Sequence, residues 1–225
     1  MLKAPKKFNK KELKRDPLLD TMVKTQTFYE DNKKRIHGIG GGFIAIALII
    51  FMLSFLHQSS EKEASILLGK AQVEYQERNY DKARQFLEYL VDGYSGTTSG
   101  DQGLFLLANI DFQEKKYSEA RAHFQKFVDI YSDSNILLSS GYAGLGACYE
   151  AEENYAAAAE AYLKAWKAAD DFPEAHDYLY NAAIDFEFAG DIEKAREYFS
   201  RLVEEYPDSS HVFDAKAKMA MLAVN

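Results

Sequence analysis

The chain has 225 residues, of which 47% are hydrophobic and only four are prolines and thirteen glycines, which argues against disorder throughout. With Tyr and Phe at 15 positions each and Ala, Leu, Glu and Lys abundant, the composition favours packed helices over a β-sandwich. Charge divides along the chain: eleven Lys/Arg stand against five Asp/Glu before His37, a net +6, and sixteen against thirty from His57 onward, a net −14. So acidic a C-terminal part argues against nucleic acid as partner, because phosphate neutralisation needs a basic face.

Residues 1–37 form a basic leader. Its first fifteen residues carry six Lys and one Arg, a pattern of disorder. Asp16 followed by Pro17 reads as an N-cap and first helical residue, with Leu18, Leu19, Met22, Val23 and Tyr29 at helical spacing behind them. Two readings of this stretch stand: an interfacial or docking helix, and a solvated leader that only sets topology.

Residues 38–56, GIGGGFIAIALIIFMLSFL, carry no charge. At about 1.5 Å per residue they reach roughly 28 Å as a helix, enough to cross the hydrocarbon of a bilayer. A secretory signal is the competing reading, but it calls for a shorter leader and a small-residue cleavage site. Lys33, Lys34 and Arg35 precede the span while Glu61, Lys62 and Glu63 follow it, so the positive-inside bias puts the leader in the cytoplasm and residues 57–225 outside. In a bacterium that is an inner-membrane protein with a periplasmic domain; nothing in the composition alone excludes a eukaryotic organelle membrane.

Beyond the span the chain repeats itself. Asn79-Tyr80-Asp81-Lys82-Ala83, Lys116-Tyr117-Ser118-Glu119-Ala120, Asn154-Tyr155-Ala156-Ala157-Ala158 and Asp191-Ile192-Glu193-Lys194-Ala195 align, with their final alanines 37, 38 and 37 residues apart. Four matching turns at near-constant spacing predict an array of helix pairs in which each unit buries a face on the next. The third unit places Tyr142, Leu145, Gly146 and Tyr149 on one helix and Ala158, Tyr162 and Ala165 on the next. The fourth gives Leu179, Ala182, Ala183, Phe186, Ala195 and Phe199 before Pro207, and the second gives Leu104, Leu107, Ala108, Ala120 and Phe124. The first keeps Leu67, Ala71, Ala83 and Leu87 but has Lys70 and Glu74 where Leu and Tyr are expected. Gly93 to Gly103 reads as a loop, and His211 to Val224 as a capping helix.

This pattern resembles the tetratricopeptide repeat over residues 61–225: an aromatic, Leu-Gly, Tyr, then Ala and an aromatic four later. The resemblance implies an α-solenoid of about four helix pairs and a cap, which with the uncharged span makes the expected fold all-α, one N-terminal transmembrane helix followed by that solenoid. Glu205-Tyr206-Pro207-Asp208-Ser209-Ser210 is similar to the inter-repeat phrase of bacterial envelope repeat proteins. Such proteins include outer-membrane assembly lipoproteins and the cell-division coordinator associated with the Tol-Pal system. The order of basic leader, single span and repeats also resembles the ancillary subunit of the bacterial Sec translocon, which implies handing secreted chains to chaperones.

No catalytic constellation is evident. His37, His57, His123, His176 and His211 have neither i,i+4 pairing nor zinc-type Cys/His spacing, so no metal and no cofactor is expected. Cys148, the only cysteine, permits no intramolecular disulfide and reads as a small buried residue. Asp170-Asp171 and Glu204-Glu205 read as solvated helix ends. The expectation is therefore a non-enzymatic scaffold or chaperone accessory that binds proteins or extended peptides, with an organising role in envelope assembly or cell division, including self-association, as the alternative.

The resemblance also implies that the first helix of each pair lines a concave groove. Carried over, this makes Leu68, Gln72 and Tyr75, then Phe105, Asn109 and Phe112, then Tyr180, Ile184 and Phe188 the groove candidates, with Ala143, Ala147 and Glu150 in the third unit. Asn109 apart, the Lys, Arg and Asn that clamp a terminal carboxylate are missing, so an extended apolar or aromatic segment is the expected ligand. The other reading of the aromatics is packing against the neighbouring repeat.

Overall fold

The computed structural model describes residues 17–169 and 172–223. The disordered stretch expected over residues 1–15, the Asp16 cap and the Asp170-Asp171 pair lie outside the described residues. Among those described there are nine helices and no strand: α1 (Pro17–Gln76), α2 (Tyr80–Gly93), α3 (Thr98–Gln113), α4 (Tyr117–Ile130), α5 (Asn135–Ala151), α6 (Tyr155–Ala168), α7 (Ala175–Phe188), α8 (Ile192–Glu205) and α9 (Val212–Leu222). The chain divides into two units, one ending at Leu56 and one from His57 onward.

In the first unit Pro17, whose missing N–H costs nothing at a first helical position, opens α1. Among the described residues, one segment of α1, His37–Gln76, is long and apolar enough to cross a membrane. In the part of it up to Leu56 the large apolar side chains, including Ile39, Phe43, Leu48, Phe51 and Phe55, are exposed.

The second unit is a stack of helix pairs, the C-terminal part of α1 with α2, α3 with α4, α5 with α6 and α7 with α8, closed by α9. Its core is a row of three clusters, as expected when each pair packs only on its neighbours. Alanines make the stack tight. Ala83, Ala120, Ala158 and Ala195 are wholly buried, and a Cβ on Gly146 would come within 2.8 Å of the Tyr162 ring. Phe124, Phe127 and Phe199 fill the space so defined, each contributing about 1.5–3 kcal/mol by burial.

One turn geometry recurs between the helices of every pair. Arg78, Lys115, Glu153 and Gly190 each stand five residues before the repeat alanine, and each has a left-handed backbone, φ 58° to 80°. The following amide reaches back to the helix end: Asn79 N–H to the Glu74 carbonyl (2.8 Å), Lys116 to Asp111 (2.8 Å), Asn154 to Tyr149 (2.8 Å) and Asp191 to Phe186 (2.9 Å). These are Schellman closures, which satisfy carbonyls that the helix end leaves free. In two of the four turns a side chain then caps the next helix: Asn154 Oδ1 accepts from the Ala157 amide and Asp191 Oδ1 from that of Lys194.

Two expectations need correction. The loop from Gly93 to Gly103 is only four residues long, because Thr97 Oγ1 accepts from the Gly100 amide (3.0 Å) and starts α3 at Thr98. Gly100 and Gly103 are thus buried helix residues. In the first pair the buried face of α1 is Ala64, Leu68 and Ala71, spaced four and three apart, so Leu68 belongs to the core.

Candidate partner-binding groove

The first helices of three successive pairs converge on one concavity of about 420 Å³. Phe105, Asn109, Phe112 and Gln113 come from α3; Ser140, Ala143, Gly144 and Ala147 from α5; Tyr178 and Asn181 from α7. Phe124 and Tyr162, from the second helices, form its floor. The small residues of α5 sit between two aromatic walls, which leaves room where larger side chains would close the space. No Lys, Arg, Asp or Glu lines it among the described residues. Amide groups at Asn109, Gln113 and Asn181 supply the polar handles, so the site suits an extended chain with apolar side chains and unpaired backbone groups.

Phe105, Asn109, Phe112, Ala143 and Ala147 lie where the repeat pattern puts them. Phe105 is also part of the packing, with ring centroids 5.7 Å from Phe124 and 5.2 Å from Phe127. Phe112 meets Tyr117 at 5.4 Å, edge to face. The remaining candidates are elsewhere. Leu68 is in the core, Gln72 is exposed, and Tyr75 is half-buried against Tyr80. Tyr180 faces forward onto α9, stacked on His211 at 4.1 Å with its hydroxyl donating to Asp214. Ile184 packs on the last core cluster, and Phe188 is exposed beside Tyr155. The physical reason is helical phase: at 100° per residue, Tyr178 and Asn181 look back toward α5 while Tyr180 looks toward α9.

Behind the groove floor lies a polar group in which Glu150 and Tyr162 meet an acid, Asp185, that sequence reasoning did not single out. The Tyr162 hydroxyl donates to Glu150 (2.7 Å), and Asp185 is wholly buried with neither carboxyl oxygen hydrogen-bonded. Burial, with a smaller contribution from the Glu150 carboxylate, pushes the Asp185 carboxyl up to about 8, so it is protonated at neutral pH. Burial likewise raises the Cys148 thiol to about 12, which leaves it without thiolate character. A second buried acid, Asp111, is fully paired: Arg84 and His123 each approach it at 2.7 Å, tying α2, α3 and α4 together.

Stacked helix pairs with matched turns and a groove along their first helices define a tetratricopeptide-type interaction scaffold. Residues 44–202 match the family model described as the tetratricopeptide repeat protein 21 C-terminal ARM domain, and the chain belongs to this family. No curated protein gives a significant match. Among solved structures, a putative kinesin light chain from Podosopora anserina with nearly identical TPR-like repeats aligns at TM-score 0.56 and 14% identity, over 72% of this chain and 86% of that one. MamA aligns at 0.57 and 16%, over 71% and 80%, and the apo form of RapI at 0.58 and 15%, over 67% and 44%. These likenesses are of fold. Repeat folds of this type are protein-interaction scaffolds and typically carry no catalysis.

Proposed function

We propose that the chain is a membrane-anchored scaffold or chaperone accessory whose groove takes an extended apolar or aromatic segment of a partner protein. The observation that carries this reading is the uncharged concavity walled by Phe105, Phe112 and Tyr178, with the small residues of α5 between them. Anchoring rests on the uncharged run of residues 38–56, and orientation on the +6 leader against the −14 remainder. In this reading the leader is cytoplasmic and the repeats face the periplasm of a bacterium, beside the translocon, where emerging chains present unfolded apolar segments.

Two experiments test it. A phosphatase active only outside the cytoplasm, fused after Asn225, is expected to be active; an inactive fusion reverses the orientation. A photo-crosslinking residue in place of Asn109 is expected to capture translocon subunits and unfolded secreted chains in cells. Capture of cell-wall or Tol-Pal components instead supports an organising role in the envelope.

A further inference from the structure

His176 and Asp177 open α7, and His211 stands immediately before α9; 34 residues separate Asp177 from His211, yet the stack brings them together. His211 Nε2 lies 2.7 Å from Asp177 Oδ1 and His176 Nδ1 lies 3.0 Å from the same oxygen, with the imidazole centroids 5.7 Å apart. One ligand atom from each residue falls within 4.8 Å of the other two. His176 Nδ1 is buried and, although 3.0 Å from the Asp177 oxygen, makes no hydrogen bond, so this ring nitrogen is available to bind a cation. The His211 ring is held in place by Tyr180 stacking at 4.1 Å, and His176 borders a concavity of about 570 Å³ with Tyr206, Pro207 and Ser209.

We infer that His176 Nδ1, Asp177 and His211 Nε2 form a binding site for one divalent transition-metal ion. Two imidazoles and a carboxylate are the donor set of Zn²⁺ and its neighbours Co²⁺ and Ni²⁺, and a poor one for Mg²⁺ or Ca²⁺, which take oxygen ligands. Tetrahedral ligands at about 2.0–2.1 Å from a metal stand roughly 3.3 Å apart, so the 2.7 and 3.0 Å contacts open by about 0.3–0.6 Å while the two imidazole nitrogens, within 4.8 Å of each other, settle around the ion. The ion replaces the proton that His211 shares with Asp177, and water from the adjoining concavity completes the coordination. Because the ligands come from α7 and from the residue that starts α9, the metal pins the capping helix to the last repeat. The histidine spacing gave no local motif because the site is assembled across one repeat.

Co²⁺ is the direct probe, since its visible ligand-field absorption reports nitrogen and oxygen ligation. The full chain in detergent is titrated with Co²⁺, and then with Zn²⁺ as competitor in excess Mg²⁺. One Co²⁺ per chain, displaced by Zn²⁺ and not by Mg²⁺, is expected, with affinity falling at least about tenfold in both His176→Gln and His211→Gln. Zn²⁺ is also expected to slow amide exchange in α9 of the unmutated chain, a readout that needs no variant to fold. Absence of saturable binding, unchanged binding in the variants, or unchanged exchange in α9 overturns the assignment.

Discussion

Asp185 is the residue whose chemistry departs furthest from its ordinary state. Its carboxyl is neutral in the folded chain up to about pH 8, while the unfolded chain ionises it near its ordinary 3.8. The folded state therefore binds the extra proton between these values, and the contribution of Asp185 to stability is full below about pH 4, falls as pH rises through this window, and levels off above pH 8. Denaturant melts of the chain and of Asp185→Asn at pH 4, 6 and 8 are expected to diverge, the variant losing less by an amount on the order of 2 kcal/mol. Identical pH profiles would contradict this. Asp111, equally buried, is paired instead of isolated, so Arg84→Ala removes its partner and is expected to cost about 3 kcal/mol. Neither acid was legible from the sequence. Asp111 stands where the family has Tyr, and Asp185 one residue before Phe186; both look like solvent-facing residues until the neighbouring helices cover them.

At the scale of helix and turn, most of the architecture was legible. The alanine spacing located all four pairs, since a small residue at that position is what lets two helices close onto one aromatic ring. Ala158→Asp is accordingly expected to be severe, costing about 3 kcal/mol or more in a melt, as it buries a charge with no partner. Gly146→Ala, which drives a methyl into the Tyr162 ring, is expected to cost about 1–3 kcal/mol. The left-handed turn residues left no such trace, because three of the four are Arg78, Lys115 and Glu153 in place of glycine. Each pays a steric penalty there, so Lys115→Gly and Glu153→Gly are expected to raise stability by up to about 1 kcal/mol, whereas Gly190→Ala lowers it by a similar amount. The buried phase of the first repeat was missed for a related reason: Lys70 occupies the usual core position, and the apolar stripe passes instead through Ala64, Leu68 and Ala71.

At the scale of the repeat unit, the groove was half legible. The second repeat keeps the family spacing, so Phe105, Asn109 and Phe112 could be assigned by position; Tyr178 and Asn181 could not, because which side of α7 faces α5 depends on how successive pairs rotate. That geometry also dictates the probe. Truncating Phe105 confounds binding with folding, since its ring rests on Phe124 and Phe127. Ala147→Arg avoids this by filling the concavity from α5 without removing a core contact, and Ala156→Arg, on the exposed face of α6, is its control. The decisive measurement is partner capture from a photo-crosslinking residue at position 109, compared between these two variants whose melting temperatures are verified to match the parent. The account predicts that capture is lost in Ala147→Arg and retained in Ala156→Arg; equal capture in both would contradict binding in the groove.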